Sequence, residues 1–184
     1  MLSNIGNFLL FLNVLLSILI IYNSYTCLKI SNNLISKSIY QLSIFQSTTI
    51  LICFFTLIAA FLISDFSLIN VYQNSHSLKP VFYKISGTWG NHEGSLLLWV
   101  IILILFSFLF LVYNKTHPKN YRLSTLIIQN LLILGFLFFI LFNSNPFSIV
   151  NPVPKEGLGL NPILQDPALA IHPPLLYVGF VGSS

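Results

Sequence analysis

Long apolar runs separated by short polar segments dominate the pattern of the chain. Four runs are about 20 residues long, the length that an α-helix needs to cross roughly 30 Å of hydrocarbon. They cover residues 5–28, 39–63, 95–113 and 123–142. A fifth run begins at residue 168 and continues to residue 184, with glycines at positions 179 and 182. The pattern predicts four transmembrane helices and a truncated fifth.

The runs are continuously apolar and do not alternate with polar residues, so they predict helices and not barrel strands. Of the 184 residues, 55% are hydrophobic and 7% are charged, whereas about a quarter of residues are charged in a soluble globular domain. We therefore predict an all-α, polytopic membrane protein that forms a single domain in the lipid bilayer.

The distribution of charge predicts the orientation, because loops rich in Lys and Arg stay on the inner side of a membrane. The short connections, 29–38 and 114–122, contain five basic residues and no acid. The long connections, 64–94 and 143–167, contain all four acids of the chain: Asp65, Glu93, Glu156 and Asp166. The long connections are therefore predicted to be outer loops, with the N-terminus also outside. Topology accounts for the net charge of +4, and no basic patch indicates nucleic-acid binding.

A few polar residues interrupt the predicted spans: Asn13, Ser17, Gln129 and Asn130. Polar side chains within membrane helices are typical of helix-to-helix hydrogen bonding. We expect these four to form contacts between helices or with a partner.

The first predicted outer loop ends in the stretch WGNHEGS, just before the third span. Asn91 or Ser95 is expected to cap the helix, and Glu93 to complement its positive end. Trp89 and Trp99 fit an aromatic belt at the outer headgroup level. His92 is a candidate ligand or proton carrier, although a plain helix entrance accounts for the stretch. The motif residues of uncertain role are Trp89, Gly90, His92, Glu93 and Gly94.

The second predicted outer loop leads into the sequence AIHPPLLY. Pro173 and Pro174 suit the first turn of a helix, which puts His172 at or near the N-cap. The positive helix end disfavours a protonated ring and attracts anions such as a propionate. A neutral imidazole with a free lone pair suits an axial haem ligand, and a plain capping histidine is the alternative.

Two motifs, WGNHEGSLLLW and LGLNPILQDPALAIHPPLLYVGFVG, resemble the N-terminal part of the CcmF family of cytochrome c haem lyase subunits. The resemblance extends over residues 81–182, and the first two helices agree by hydropathy only. It implies that His172, followed by Pro173 and Pro174, is an axial ligand to the iron of a haem that a haem chaperone delivers. It also implies that the haem is held transiently and is shared with a companion chain.

The rest of the family pattern is not matched. The Trp-rich segment, a second outer-face histidine and two transmembrane histidines of the family have no counterpart, and His76 and His117 lie outside its motifs. We expect both histidines to be solvent-exposed. The chain therefore resembles one piece of a split CcmF. The 16 Asn and 17 Phe against 4 Ala are the bias of an AT-rich genome, which favours a mitochondrially encoded protein of the inner membrane. The alternative location is a bacterial cytoplasmic membrane.

The resemblance implies a role in cytochrome c biogenesis, in which haem vinyl groups are attached to the thiols of a CxxCH apocytochrome c. The chain is expected to be non-catalytic alone and to hold haem at its outer face as a subunit of a haem lyase. The alternative is a structural membrane subunit of a respiratory-chain complex, derived from this family and without haem chemistry of its own.

Overall fold

The computed structural model describes residues 1–30 and 35–182. Within these ranges the chain forms seven α-helices and one 3₁₀ turn, at Pro162–Gln165. The α-helices are α1 (Leu2–Lys29), α2 (Lys37–Leu62), α3 (Ile69–Asn74), α4 (Val81–Gly87), α5 (His92–Tyr113), α6 (Lys119–Asn143) and α7 (Pro167–Gly182).

The four longest helices, α1, α2, α5 and α6, are long and apolar enough to cross a membrane. Each of them overlaps one predicted span, and its ends lie within four residues of the predicted ones. The prediction of an all-α polytopic membrane protein is therefore confirmed. The fifth run forms α7, which has 16 residues. Part of the predicted loop 29–38 (residues 31–34) and the last two residues of the predicted fifth span lie outside the described residues.

The four long helices pack as a ring in which α1 contacts α2 and α6, and α5 contacts the same two helices. Their apolar side chains form two core clusters between the helices, a large one and a smaller one that includes Ile20, Ile39 and Leu123. The helix α7 lies outside the ring, against α5. This arrangement leaves one side of α7 without a neighbour among the described residues.

A buried set of polar side chains joins three helices of the ring. Gln46 of α2 donates hydrogen bonds to Ser17 of α1 at 2.8 Å and to Asn130 of α6 at 3.3 Å. Asn13 of α1 accepts a bond from Thr49 of α2 at 3.4 Å. The prediction that the polar residues in the spans bond between helices is confirmed for Asn13, Ser17 and Asn130.

A buried arginine caps a helix at the end of the bundle that carries the short connections. The guanidinium of Arg122, at the start of α6, donates to the carbonyl oxygen of Leu111 in the last turn of α5 and to the hydroxyl of Tyr40 at 3.0 Å. The last carbonyls of a helix lack intrahelical donors and carry partial negative charge. The Arg122 side chain therefore supplies the donor and the charge that this helix end needs.

The opposite end of the bundle carries residues 63–91 and 144–166, which we call the loop platform. The two segments pair along their backbones: Ile69 donates to Ser148 at 2.9 Å, and Leu158 donates to Tyr72 at 2.8 Å. An antiparallel bridge joins Leu68 to Ile149. The long connections are therefore one folded unit and not two independent loops.

Replacing Gln46 with Leu is expected to destabilise the bundle by about 1 kcal/mol, because hydrogen bonds between membrane helices contribute roughly that amount. The exposed Gln41 of the same helix provides the matched control, Gln41→Leu. Thermal unfolding in detergent measures both variants. Equal unfolding temperatures for the two variants would contradict a stabilising role of the buried amide.

Candidate functional site

The helix that carries the His-Pro-Pro motif begins next to the predicted start of the apolar run at residue 168, and before the start that Pro173 and Pro174 indicated. Its first residue is Pro167, at the position where a missing N–H breaks no hydrogen bond. The Asp166 carboxylate accepts hydrogen bonds from the backbone N–H groups of Ala168 and Leu169 at 2.8 and 3.1 Å. Asp166 is therefore the N-cap of α7.

The predicted place of His172 at the helix start is wrong. His172 is the sixth residue of α7, and Pro173 and Pro174 lie in the helix interior. The Asp166–Pro167 pair is a stronger start signal, since it combines a capping carboxylate with a proline at the first position. The field of a helix end falls off within the first turn, so the helix end gives no reason for a neutral ring at His172.

One stripe of α7 faces α5. It consists of Ala170, Pro174, Tyr177 and Val181, which recur every three or four residues and therefore share a helix face. Ala170 and Val181 are buried, and the ring of Tyr177 lies 5.5 Å from that of Trp99 in α5. This stripe attaches α7 to the bundle.

His172 lies on the opposite side of α7. Successive helical residues are about 100° apart, so His172 is roughly 200° around the helix from Ala170. Leu175, Leu176 and Gly179 share the face of His172. The imidazole is exposed, and the two leucines are 67% and 52% exposed. The structure therefore presents an accessible imidazole beside an open apolar surface.

Trp89 connects the first motif to α7. Its indole Nε1–H donates to the backbone oxygen of Ala170 at 2.8 Å. Its ring stacks on Phe54 of α2 with a centroid distance of 6.4 Å. The polar atom of Trp89 is thus paired within the protein.

The turn between α4 and α5 is held by Asn91 and Gly94. The Asn91 side-chain oxygen accepts from the Gly94 N–H at 2.7 Å, and its amide group donates to the Gly87 oxygen at 2.7 Å. Asn91 is the N-cap of α5, as predicted, whereas the Ser95 hydroxyl bonds to the oxygen of His92 and caps nothing. A Cβ on Gly94 would overlap the Thr88 carbonyl, so the motif needs glycine there.

The other members of this motif do not approach His172. The exposed ring of His92 packs edge-on against Phe139 of α6, 6.5 Å away. Glu93 lies in the first turn of α5, where its charge complements the helix end. Within residues 35–182, no hydrogen bond, ion pair or ring contact joins either side chain to His172. The structure therefore brings Trp89 to α7 but leaves His92 and Glu93 apart from it.

The two remaining histidines make contacts away from α7. His76, half-exposed in the loop platform, accepts from the Leu78 N–H at 3.2 Å. His117 is exposed, as predicted, and its ring lies 5.2 Å from that of Tyr121. Neither contributes to the surface around His172.

Glu156 joins the two halves of the loop platform, a role that was not predicted. Its carboxylate accepts from the Ser77 hydroxyl at 2.5 Å, from the Ser77 N–H at 2.9 Å and from the Gly157 N–H at 3.0 Å. These hydrogen bonds, first that of the Ser77 hydroxyl, lower the pKa of Glu156 to about 2, and nearby His76 adds to the effect. No sequence signal pairs residues so far apart.

Residues 89–184 match the family model described as cytochrome C assembly protein. This segment is more than half of the chain and includes both motifs. The chain belongs to the cytochrome c assembly protein family. Together with the relatives and the solved structure described next, which include CcmF, this match confirms the resemblance to CcmF that the motifs indicated.

Curated members of this family are similar over most of the chain. The biogenesis protein CycK of Rhizobium meliloti is 52% identical over 131 residues, which are 71% of this chain and 19% of CycK. CcmF of Escherichia coli is 47% identical over 132 residues, which are 71% of this chain and 20% of CcmF. The matched region is therefore about a fifth of the length of these relatives.

A solved structure, the cytochrome c haem lyase CcmF, has the same fold over 98% of this chain, with a TM-score of 0.79 and 22% identity. The matched part is 28% of that protein. The agreement in fold extends to the region before residue 81, where the motifs gave no resemblance and only the hydropathy agreed.

Replacing Gly94 with Ala is expected to destabilise the protein by about 3 kcal/mol, because the new methyl group would overlap the Thr88 carbonyl oxygen. The control is Gly135→Ala in α6, where a Cβ meets nothing within 4 Å and alanine should stabilise the helix by roughly 0.5–1 kcal/mol. Thermal unfolding in detergent distinguishes the two. A Gly94→Ala variant as stable as Gly135→Ala would contradict the tight turn.

The loop platform is expected to loosen in acid through Glu156. A carboxyl group whose pKa falls on folding stabilises the folded state above its unfolded pKa, and this contribution disappears as pH falls towards the folded pKa. The window therefore lies between about 4.5 and about 2. Amide exchange at residues 75–78 and 156–158, corrected for intrinsic rates, measures the opening.

Glu156→Gln should remove the pH dependence of this opening. Lys155→Gln, a change at an exposed neighbouring residue, should retain it. A pH response that persists in Glu156→Gln would assign the effect to another group.

Proposed function

We propose that the chain is part of a CcmF-type haem lyase, in which it holds haem at the loop-platform end of the bundle through His172. The placement of His172 is the main support: its imidazole is exposed on the side of α7 that faces away from the bundle, next to exposed leucines. The names of the relatives, which are cytochrome c biogenesis proteins and a haem lyase, support the same role.

The residues around His172 fit a haem. The imidazole supplies a nitrogen ligand of the kind that haem iron accepts. Leu175 and Leu176 offer an apolar surface to the porphyrin, and the space beside Gly179 is open, since a Cβ there would meet nothing within 4 Å. Pro173 and Pro174 contribute by stiffening the helix next to the ligand. His172 would hold and orient the haem, and the leucines would exclude water from one side of it.

Haem, when bound, supplies two vinyl groups, and the sulfur and hydrogen of an apocytochrome c thiol add across each of them. Nothing in the described part of the chain is proposed to react in that step. The chain alone is therefore proposed to be non-catalytic, and its contribution is a ligand and a shaped surface for transient haem.

The loop platform is proposed to lie on the outer side of the membrane, together with the N-terminus. The basic residues of the short connections belong on the inner side by the positive-inside rule, and all four acids lie in the loop platform or in the helix turns next to it. His172 then faces the bacterial periplasm or the mitochondrial intermembrane space. We favour the mitochondrial inner membrane, because the composition is that of an AT-rich genome.

A companion chain is proposed to cover α7 and to provide the remaining ligands of the haem. The chain matches about a fifth of its relatives' length, and one side of α7 is apolar and exposed. A helix face of this kind normally packs against protein or lipid. A haem chaperone and apocytochrome c are the further proposed partners.

Replacing His172 with Ala in the assembled complex should lower haem occupancy at this site at least roughly tenfold. Loss of a group that merely supports a metal ligand already costs about 10- to 100-fold in affinity. The absorption spectrum of the purified complex measures bound haem, and haem staining of c-type cytochromes measures maturation. His117→Ala, at an exposed histidine outside the site, is the control.

Unchanged haem occupancy and unchanged maturation in His172→Ala would overturn this function. Isolation of the chain only with oxidase or dehydrogenase subunits would instead favour the structural-subunit alternative. A companion polypeptide that carries the Trp-rich segment and further histidines would support the haem lyase.

A further inference from the structure

The two prolines inside α7 leave part of its backbone without internal partners. A helical carbonyl normally accepts from the N–H four residues later. Proline has no N–H, so the oxygen of Ala170 cannot receive a hydrogen bond from position 174. Ala170 is 4% exposed, and a buried carbonyl without a partner is unfavourable. The motif therefore creates a need for an external donor close to His172.

Trp89 is that donor. Its Nε1–H lies 2.8 Å from the Ala170 oxygen, across 81 residues of sequence. A tryptophan at this place is not explained by packing alone, because phenylalanine would provide a similar apolar surface but no N–H. The tryptophan of the first motif and the second proline of the second motif are thus chemically complementary.

The donor is held on a rigid support. The ring of Trp89 stacks on Phe54, and the turn that contains it is fixed by Asn91, which bonds to Gly87 and Gly94. The same junction is closely packed, since a Cβ on Gly90 would approach the Leu160 side chain to 3.3 Å. Trp89 therefore fixes one point of α7, at Ala170, relative to the bundle.

We propose that Trp89 is a positioning residue for His172: its indole N–H replaces the backbone donor that Pro174 removes and so fixes the α7 segment that presents the imidazole. Because Ala170 and His172 lie on opposite sides of α7, the bond directs the imidazole away from the bundle. The haem-related part of this inference rests on the proposed function of His172, whereas the fixing of α7 does not.

A double-mutant cycle with Trp89→Phe and Pro174→Ala tests the proposal in the purified complex. Trp89→Phe should increase the local opening of residues 168–178, measured by amide exchange, by about tenfold, which corresponds to the loss of one hydrogen bond. In the Pro174→Ala background the same change should have a much smaller effect, because residue 174 then donates to the Ala170 oxygen. Trp99→Phe is the matched control, since Trp99 contacts α7 through ring packing, and its effect should not depend on residue 174.

Haem provides a second readout that a purely structural tryptophan would not move. Trp89→Phe should lower haem occupancy and alter the haem absorption spectrum, and Pro174→Ala should restore both. If Trp89→Phe does not accumulate, the double variant should. Equal effects of Trp89→Phe in both backgrounds, or no rescue by Pro174→Ala, would overturn the proposal. Coupling in amide exchange without any response of the haem would support the positioning of α7 and overturn the effect of Trp89 on the haem, whereas His172→Ala tests the haem role of His172 itself.

Discussion

A backbone carbonyl that a proline deprives of its donor is the constraint around which this end of the molecule is built. Ala170 is buried, and a buried backbone carbonyl needs a hydrogen-bond partner. Two adjacent prolines would be expected to break α7. The helix is instead continuous. Asp166 caps its start, and at Ala170 it accepts a hydrogen bond from Trp89, in the turn between α4 and α5.

The hydrogen bond between Trp89 and Ala170 links the turn after α4 to α7, and α4 and α7 otherwise share few contacts. Asn91 fixes the turn between α4 and α5, this turn holds the indole of Trp89, and the indole holds α7. The surface that carries His172 is therefore placed by hydrogen bonds that lie on the far side of the same helix. Rigid support of this kind is what a ligand site requires, because a ligand must be presented in one orientation.

Hydropathy predicted the four long helices to within a few residues, because a membrane span is decided by local composition and length. The Asp166–Pro167 pair predicts the start of α7 correctly, but Pro173 and Pro174 suggested a later start. The bond to Trp89 and the contact between Glu156 and Ser77 could not be predicted. They join residues about 80 positions apart, and neither partner has a sequence pattern that identifies the other. The short helices α3 and α4 were also missed, since they are shaped by packing within the loop platform.

The pairing of the loop platform has a consequence for synthesis. Ser77 precedes Glu156 by 79 residues, so at ordinary translation rates its acceptor is made about 4 to 16 s later. During this interval the first half of the platform has left the ribosome without the strand-like partner that completes it. The first half stays unpaired until α6 has been inserted, because α6 brings the second half to the same side of the bilayer. Insertion of α2 and α5, the helices on either side of the first half, does not complete the platform.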